Sequence, residues 1–460
     1  MRTELDPDAV ARLHEIVHGT VFLRGDAGLA AEVACFDPSI RHEPDIVVAV
    51  VDEQDVASAI RFAREQGIPV RVQATGHGAT GPIEDGMLVS TRALDALHVD
   101  EVTHRARIGA GVRWAPVIAA AAEYGLAPII GSSPGVGAVG YTLGGGLGPL
   151  ARSHGFTADW VRGFRVVTAA GEAVVADATS HPELFWALRG GKGGLGIVTE
   201  MTLELAPLTT LYAGSVFFEG DAIEPAFRAW AGWAERLPDQ ATTSAVLLRV
   251  PDLEGPPPPL RGRSVLSVRF AYPSQSPDAA AEGERLFAPI RAAAPVYLDF
   301  VGELPAAAVA SIHNDPEQGS PTWIRGLMLD AFDSRDAEAL LRLAGPGADT
   351  PFFAVEVRQL GGATKHDTQD GTAVGGRDST YAVSAIAGDP ATFAEAAPAA
   401  AAALADALAG RISAVTNVNW TASLTDKAAF ESSWPPAVFE RLSAARTQWD
   451  PDRVFAFGPA

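Results

Sequence analysis

One cysteine, Cys35, stands in a chain of 460 residues, so neither an intramolecular disulfide nor a cysteine-built zinc site is available. Long apolar runs are also missing. No stretch approaches the ~20 residues of a membrane span. The N-terminus, MRTELDPDAVARL, is acidic early and lacks the apolar core of a secretory signal. Positive charge is the third shortage: 35 Lys and Arg face 56 Asp and Glu, a formal net charge of −21. Such a surface repels phosphate backbones and anionic headgroups, so neither nucleic acid nor membrane is an expected partner. Cytoplasmic residence is the default expectation, and oligomeric state is not legible. What the chain does have is apolar mass, 47% of its residues, enough for large cores and against global disorder. The length favours two domains.

The first half alternates strands and helices. Pro44-Asp-Ile-Val-Val-Ala-Val-Val51 is an apolar run of buried-strand type. Residues 52–66 follow with helical spacing, Val56, Ile60, Phe62 and Ala63 falling on one side, and Gly67 stops the helix. Residues 68–72, 88–90 and 107–108 read as further strands, and 114–124 as an Ala-rich helix. Beyond Pro207 strands are predicted at 213–218, 243–250, 265–270, 296–300, 323–328, 352–360, 381–386 and 412–420. Amphipathic helices fall between them at 222–237, 277–292 and 391–408. The expected fold class is α+β, with a large antiparallel sheet covered by helices. After a helix at 438–449, the aromatic C-terminus is expected to dock rather than hang free.

Glycine is concentrated in three segments: Ala74-Thr-Gly-His-Gly-Ala-Thr-Gly81, Pro134–Gly148 and Arg189-Gly-Gly-Lys-Gly-Gly-Leu-Gly196. Glycine lets successive backbone N–H groups converge on an anion and lets the chain approach a flat ring. A pyrophosphate can be held this way without arginine. None of the three is a Rossmann fingerprint, and Lys192 is followed by Gly193, not by a Walker Ser or Thr. Alone, each reads equally as tight turns in a twisted sheet. Three in order, the first with a central histidine, argue for a binding cleft. His77, flanked by Gly76 and Gly78, has little steric cover, and a neutral imidazole is a competent nucleophile.

The order of motifs resembles one family. Val72-Gln-Ala-Thr-Gly-His77, Ile108-Gly-Ala-Gly-Val-Arg-Trp114, Val136-Gly-Ala-Val-Gly-Tyr-Thr-Leu-Gly-Gly-Gly-Leu-Gly148, His154-Gly-Phe-Thr-Ala-Asp159, Glu183-Leu-Phe-Trp-Ala-Leu-Arg-Gly190 and Gly196-Ile-Val-Thr-Glu200 follow Pro44…Asp55-Val56. This series resembles the FAD-linked oxidases of the vanillyl-alcohol oxidase / p-cresol methylhydroxylase superfamily, in the berberine-bridge-enzyme-like branch of 6-hydroxy-D-nicotine oxidase type.

The resemblance implies a two-part FAD-binding domain of the p-cresol methylhydroxylase type, residues 1–207. A substrate-binding domain would follow at 208–415, with residues 416–460 returning to the first. It further implies FAD bonded covalently through His77, with Gln73, Ala74, Thr75, Gly76 and Gly78 around the pyrophosphate. Ser133, Pro134, Val136, Gly137, Gly140, Tyr141, Gly144, Gly145, Gly148, Gly196, Ile197 and Val198 would line the rest of the cofactor. Relatives with a second flavin bond carry Cys-Pro where this chain has Ser133-Pro134, and Cys35 lies elsewhere, so a single bond is implied. Val136 falls where a small residue admits dioxygen. No metal is expected.

Two departures stand out. The usual Arg-Ser-Gly-Gly-His is replaced by Gln73-Ala-Thr-Gly-His77, and the usual C-terminal Tyr-x-Asn-Tyr by Asn417-Val-Asn-Trp420. The family's tyrosine base is therefore missing. Tyr381, Arg358, Asn417, Asn419 and Trp420 are the candidate pocket residues. Against them, Tyr381 and Trp420 also read as core aromatics, and Arg358 as the ion-pair partner of Glu356. Tyr141 and His154 are possible flavin-side groups, whereas His366-Asp367 reads as a solvated loop. The activity expected is oxidation of a small organic amine or alcohol, a secondary metabolite among the candidates, with dioxygen reduced to H2O2. Alternatives are a flavin dehydrogenase with another acceptor, a flavin-bound non-redox cyclase, and a globular protein with no cofactor.

Overall fold

The computed structural model describes residues 5–421 and 424–459; the first four residues of the N-terminal stretch lie outside the described residues. Thr20–Leu23, Ile46–Ala49, Met87–Ser90 and Val70–Gln73 make, in that spatial order, a mixed four-stranded sheet. Met87–Ser90 pairs in parallel on both sides. Parallel pairing needs a crossover, which the helix Glu53–Gln66 supplies. The Asp52 side chain caps its start, accepting from the Asp55 N–H, and Gly67 at φ 64° ends it. Asp55 is fully buried because its two oxygens accept the backbone N–H groups of His18 (2.7 Å), Gly19 (2.9 Å) and Val51 (3.0 Å). Beside this sheet lies a five-stranded antiparallel one, ordered Leu97–Asp100, Arg105–Gly109, Ile197–Glu204, Val161–Val167 and Ala173–Ala176.

The large antiparallel sheet runs Leu298–Asp299, Thr210–Glu219, Ser264–Tyr272, Thr242–Arg249, Phe352–Gln359, Tyr381–Ala387 and Trp323–Leu329, with Gly302–Pro305 also on Thr210–Glu219. Its two faces differ in kind. One is apolar and packs under the helices Ile223–Ala234, Ala279–Arg291, Ser334–Ala344 and Ala396–Ala407, through Phe227, Trp230, Phe287, Leu340 and Leu404. The other carries a cross-strand row of Ser215, Arg269, Ser244 and Arg358, beside a second row of Ser267, Val246, Glu356 and Ser384. All eight are buried, which buried polar groups tolerate only with partners or a ligand.

Arg152 ties this sheet to the N-terminal part. It is 6% exposed, and its guanidinium donates to the carbonyls of Ala241 (2.7 Å), Pro238 (3.3 Å) and Leu360. Arg152→Met strands those carbonyls and is expected to lower unfolding free energy by about 2–3 kcal/mol in a urea titration. A midpoint unchanged within error would mean that the layers are held by other contacts.

The C-terminus docks as expected: after the helix Pro436–Trp449, Val70 donates to the Val454 carbonyl (2.8 Å) and Ala456 to that of Val70 (2.9 Å). Two predicted strands are corrected. Residues 296–300 shrink to Leu298–Asp299, and 412–420 forms no strand beyond a single bridge from Ile412 to Leu329. There the Asn417 side chain accepts the Asn419 N–H (2.9 Å) and Trp420 N–H returns to the Asn417 carbonyl (2.8 Å). A side-chain acceptor captures donors that a ladder needs, and the segment turns instead.

Candidate functional site

The loop after Val70–Gln73 turns at Gly76, where φ is +65° and an added Cβ would stand 2.7 Å from the Cα of Cys35. Only glycine fits there. His77 follows. Its ring stacks on Phe36 with centroids 3.9 Å apart, and its buried Nδ1 has no hydrogen-bond partner. Burial first, and the Arg113 charge second, pull its pKa down to about 4, so the imidazole is neutral near pH 7. Among the described residues, the backbone N–H groups of positions 76 to 80 donate to no protein group. A Cβ at Gly78 or Gly140 would meet nothing within 4 Å, and neither has positive φ. Packing therefore does not demand glycine at either position. A row of free donors beside a nucleophilic nitrogen fits a dinucleotide pyrophosphate and a tethered ring.

The neighbouring residues divide by role. Thr75 is buried against Gly137, whose Cβ would lie 3.2 Å from its side chain. Val136 and Ser133-Pro134 border the same turn, the Val136 and Pro134 carbonyls accepting from Trp114 (3.1 Å) and Ala115 (2.9 Å). Ala74 meets the Arg92 guanidinium through its carbonyl (3.5 Å). The Gln73 side chain turns away, accepting from His42 (3.0 Å) and donating to Val33 (3.1 Å), so only its backbone borders the loop. Cys35, remote in sequence, comes close to Gly76 in space. Its thiol faces His42 at 3.1 Å, and burial pushes its pKa up. His154 is bonded to Ser153 (2.7 Å) and tilted onto Trp160. Gly196 and Ile197 are tightly packed: a Cβ at Gly196 would strike Val166 at 2.6 Å, and the Ile197 side chain is 1% exposed in the core, with Val198 buried beside it. Gly148 is required by packing, its Cβ falling 1.7 Å from the Ile130 carbonyl.

The second glycine run wraps Tyr141, whose hydroxyl is buried without a partner and whose pKa burial pushes up. Gly144 permits the approach of Asn419, which an added Cβ would meet at 2.1 Å. Asn419 donates to the Tyr141 carbonyl (2.9 Å) and accepts from Lys192 Nζ (2.5 Å). Asn417 donates to the Gly375 carbonyl (3.1 Å), and Gly145 lies against it. Both asparagines thus clamp the C-terminal return onto the glycine runs. Lys192, legible only as the odd residue in a glycine run, has its pKa lowered to about 8 by burial.

Of the candidate pocket residues, Arg358 and Trp420 come together, the guanidinium carbon 5.5 Å from the indole centroid. Tyr381 is corrected. It lies on the helix-covered face, 5.7 Å from Phe332 and 6.4 Å from Trp230 by ring centroids, one residue out of phase with Ala382, which pairs Arg358. Around Arg358 the structure bears out the pairing with Glu356 and adds Arg269 and His313, which were not singled out from sequence. Glu356 bridges Arg269 (2.8 Å) and Arg358 (3.0 Å), and Arg358 also reaches His313 Nε2 (3.2 Å) and the Leu147 carbonyl (3.2 Å). Polar residues two apart, Ser267/Arg269 and Glu356/Arg358, within otherwise apolar strands were the available signal. His313 follows the short helix Ala306–Ile312 and carried none.

Comparison with known proteins agrees with this geometry. The family described as an FAD binding domain matches residues 44–177. The (R)-6-hydroxynicotine oxidase of Paenarthrobacter nicotinovorans is 33% identical over 194 residues, 42% of either chain. The chain thus matches about half the length, or less, of such curated relatives. A crystal structure of 6-hydroxy-D-nicotine oxidase from Arthrobacter nicotinovorans superposes with TM-score 0.82 at 24% identity, covering 95% of this chain and 96% of that one. The glucooligosaccharide oxidase of Acremonium strictum, described with a 6-S-cysteinyl, 8α-N1-histidyl FAD, superposes with TM-score 0.80 at 18% identity over 98% of both. No helix among the described residues is long and apolar enough to cross a membrane. Residues 44–177 thus match an FAD binding domain, and the whole chain shares its fold with FAD-linked and berberine-bridge-enzyme-like oxidases.

Proposed function

We propose that the protein is an FAD-dependent oxidase of a small organic substrate, an amine or an alcohol, with dioxygen as the final acceptor. The observation that carries the reading is the run of free N–H donors at 76 to 80 beside the unpartnered Nδ1 of His77. FAD supplies a two-electron acceptor that dioxygen can reoxidise to release H2O2. The chain supplies position. His77 would tether the cofactor and the loop N–H groups would hold its pyrophosphate, with Arg358 on the large sheet and Trp420 on the turn after Asn417 placed to face the substrate. With tryptophan at 420 in place of tyrosine, no phenolic base stands there, which suits an amine bound neutral, since its oxidation needs no base.

A visible spectrum and in-gel fluorescence of the purified protein, followed by a panel of amines and alcohols monitored for peroxide, test the reading. A colourless protein, or bleaching by substrate that air does not reverse, would contradict it. Val136→Leu is expected to slow reoxidation of the substrate-reduced protein by about tenfold, some 1.4 kcal/mol in barrier, while anaerobic reduction is little changed. Equal slowing of both half-reactions in stopped flow would remove the dioxygen path from Val136.

A further inference from the structure

Between Pro149 and the polar face of the large sheet lies a small cleft, open to solvent on one side, with room for about one water-sized group. Ser244, Arg269, His313 and Arg358 line it. Three of their polar atoms are buried and unpartnered: Ser244 Oγ, His313 Nδ1 and Arg358 Nε. Because Arg358 donates to His313 Nε2, the neutral imidazole carries its proton on Nδ1. All three free atoms are then donors. The charge count points the same way. Arg269 and Arg358 share the single carboxylate of Glu356, and His313 is neutral, leaving one positive charge over. Asp315 is close enough to Arg358 to act on it through space, yet it is half-exposed and forms no ion pair with it. Buried donors with surplus positive charge are costly unless an anion completes them.

We infer that this cleft binds an oxyanion of the substrate, a carboxylate or phenolate, through Ser244, His313 and Arg358, with Arg269 completing the field. The inference rests on the oxidase reading and narrows its substrate to a molecule bearing an anionic oxygen beside the oxidisable carbon. It runs against the overall charge of −21, which by itself would favour cations. Unpartnered polar atoms lining one small cleft act locally, where long-range surface fields are screened.

Benzoate and its neutral isostere benzamide are suitable probes, titrated into the flavin-containing protein by calorimetry and by the flavin absorbance. Benzoate is expected to bind at least about tenfold more tightly, a difference of about 1.4 kcal/mol. Ser244→Ala should weaken benzoate several-fold and leave benzamide and flavin content unchanged, and Arg269→Gln should abolish the preference. Equal affinities in the wild type, or a preference intact in both variants, would overturn the inference while leaving the oxidase reading standing. A colourless protein would instead overturn that reading. Should Arg269→Gln fail to fold, the wild-type comparison and Ser244→Ala still decide.

Discussion

His77→Ala is expected to surrender all of its FAD to the supernatant on acid precipitation, whereas the wild-type pellet stays yellow and fluoresces on a denaturing gel. The geometry separates holding the cofactor from bonding it. Retention before denaturation falls to the backbone donors of residues 76 to 80, which no side-chain substitution removes. The variant should therefore still elute yellow from gel filtration. Permanence falls to the Nδ1 of His77, kept neutral by burial and the Arg113 charge, with a pKa of about 4. At pH 7 almost every imidazole is unprotonated and able to form a bond to carbon. Phe36, stacked at 3.9 Å, fixes the plane of the ring. If wild-type FAD is equally extractable, the covalent assignment fails, and the unpartnered nitrogen needs another explanation.

Much of this cleft could be read before any coordinates. The three glycine runs mark backbone that must turn sharply or come close to something, and Gly76 and Gly144 do both against Cys35 and Asn419. The helix Glu53–Gln66 was legible because a 3.6-residue apolar spacing and a terminal glycine agree, and the Asp52 cap in the structure fits both. The substrate side was less legible. Tyr381 and Arg358 lie on neighbouring strands, yet a one-residue difference in register puts one under the helices and the other over the cleft. Sequence shows alternation within a strand but not which parity faces which layer. The 412–420 segment looked like a strand because Val415, Val418 and Trp420 are apolar and β-prone. The hydrogen bonds of Asn417 override that propensity. His313 and Phe36 reach the site through tertiary contacts made by loops, which leave no periodic trace.

Glu356→Gln is expected to cost about 3–5 kcal/mol of stability at neutral pH, because it leaves two buried guanidiniums without their shared carboxylate. Glu356, Arg269 and Arg358 are each under a tenth exposed, so water cannot take over the lost charge. Burial pushes the Glu356 pKa up, but the adjacent Arg358 and Arg269 charges outweigh it and hold the carboxyl well below the usual range. A carboxyl ionised more readily when folded than when unfolded stabilises the fold fully above its unfolded pKa, near 4.5. That contribution is lost as pH falls through the depressed folded value. The gap between wild type and variant should accordingly be constant from pH 5 to 8 and close in more acid solution. His313 adds a second acid sensitivity in both proteins. Burial and Arg269 lower its pKa from 6.5 to about 4, so stability falls with pH across that interval as the unfolded chain takes up the proton first. Guanidinium titrations at pH 7.5 and at pH 3.5 separate the two effects. A gap below about 1 kcal/mol at pH 7.5 would mean that the arginines are neutralised by something other than Glu356. A gap that does not narrow at all at pH 3.5 would mean that the folded carboxyl is not held below its unfolded pKa, since only a depressed value makes the unfolded chain take up the proton first.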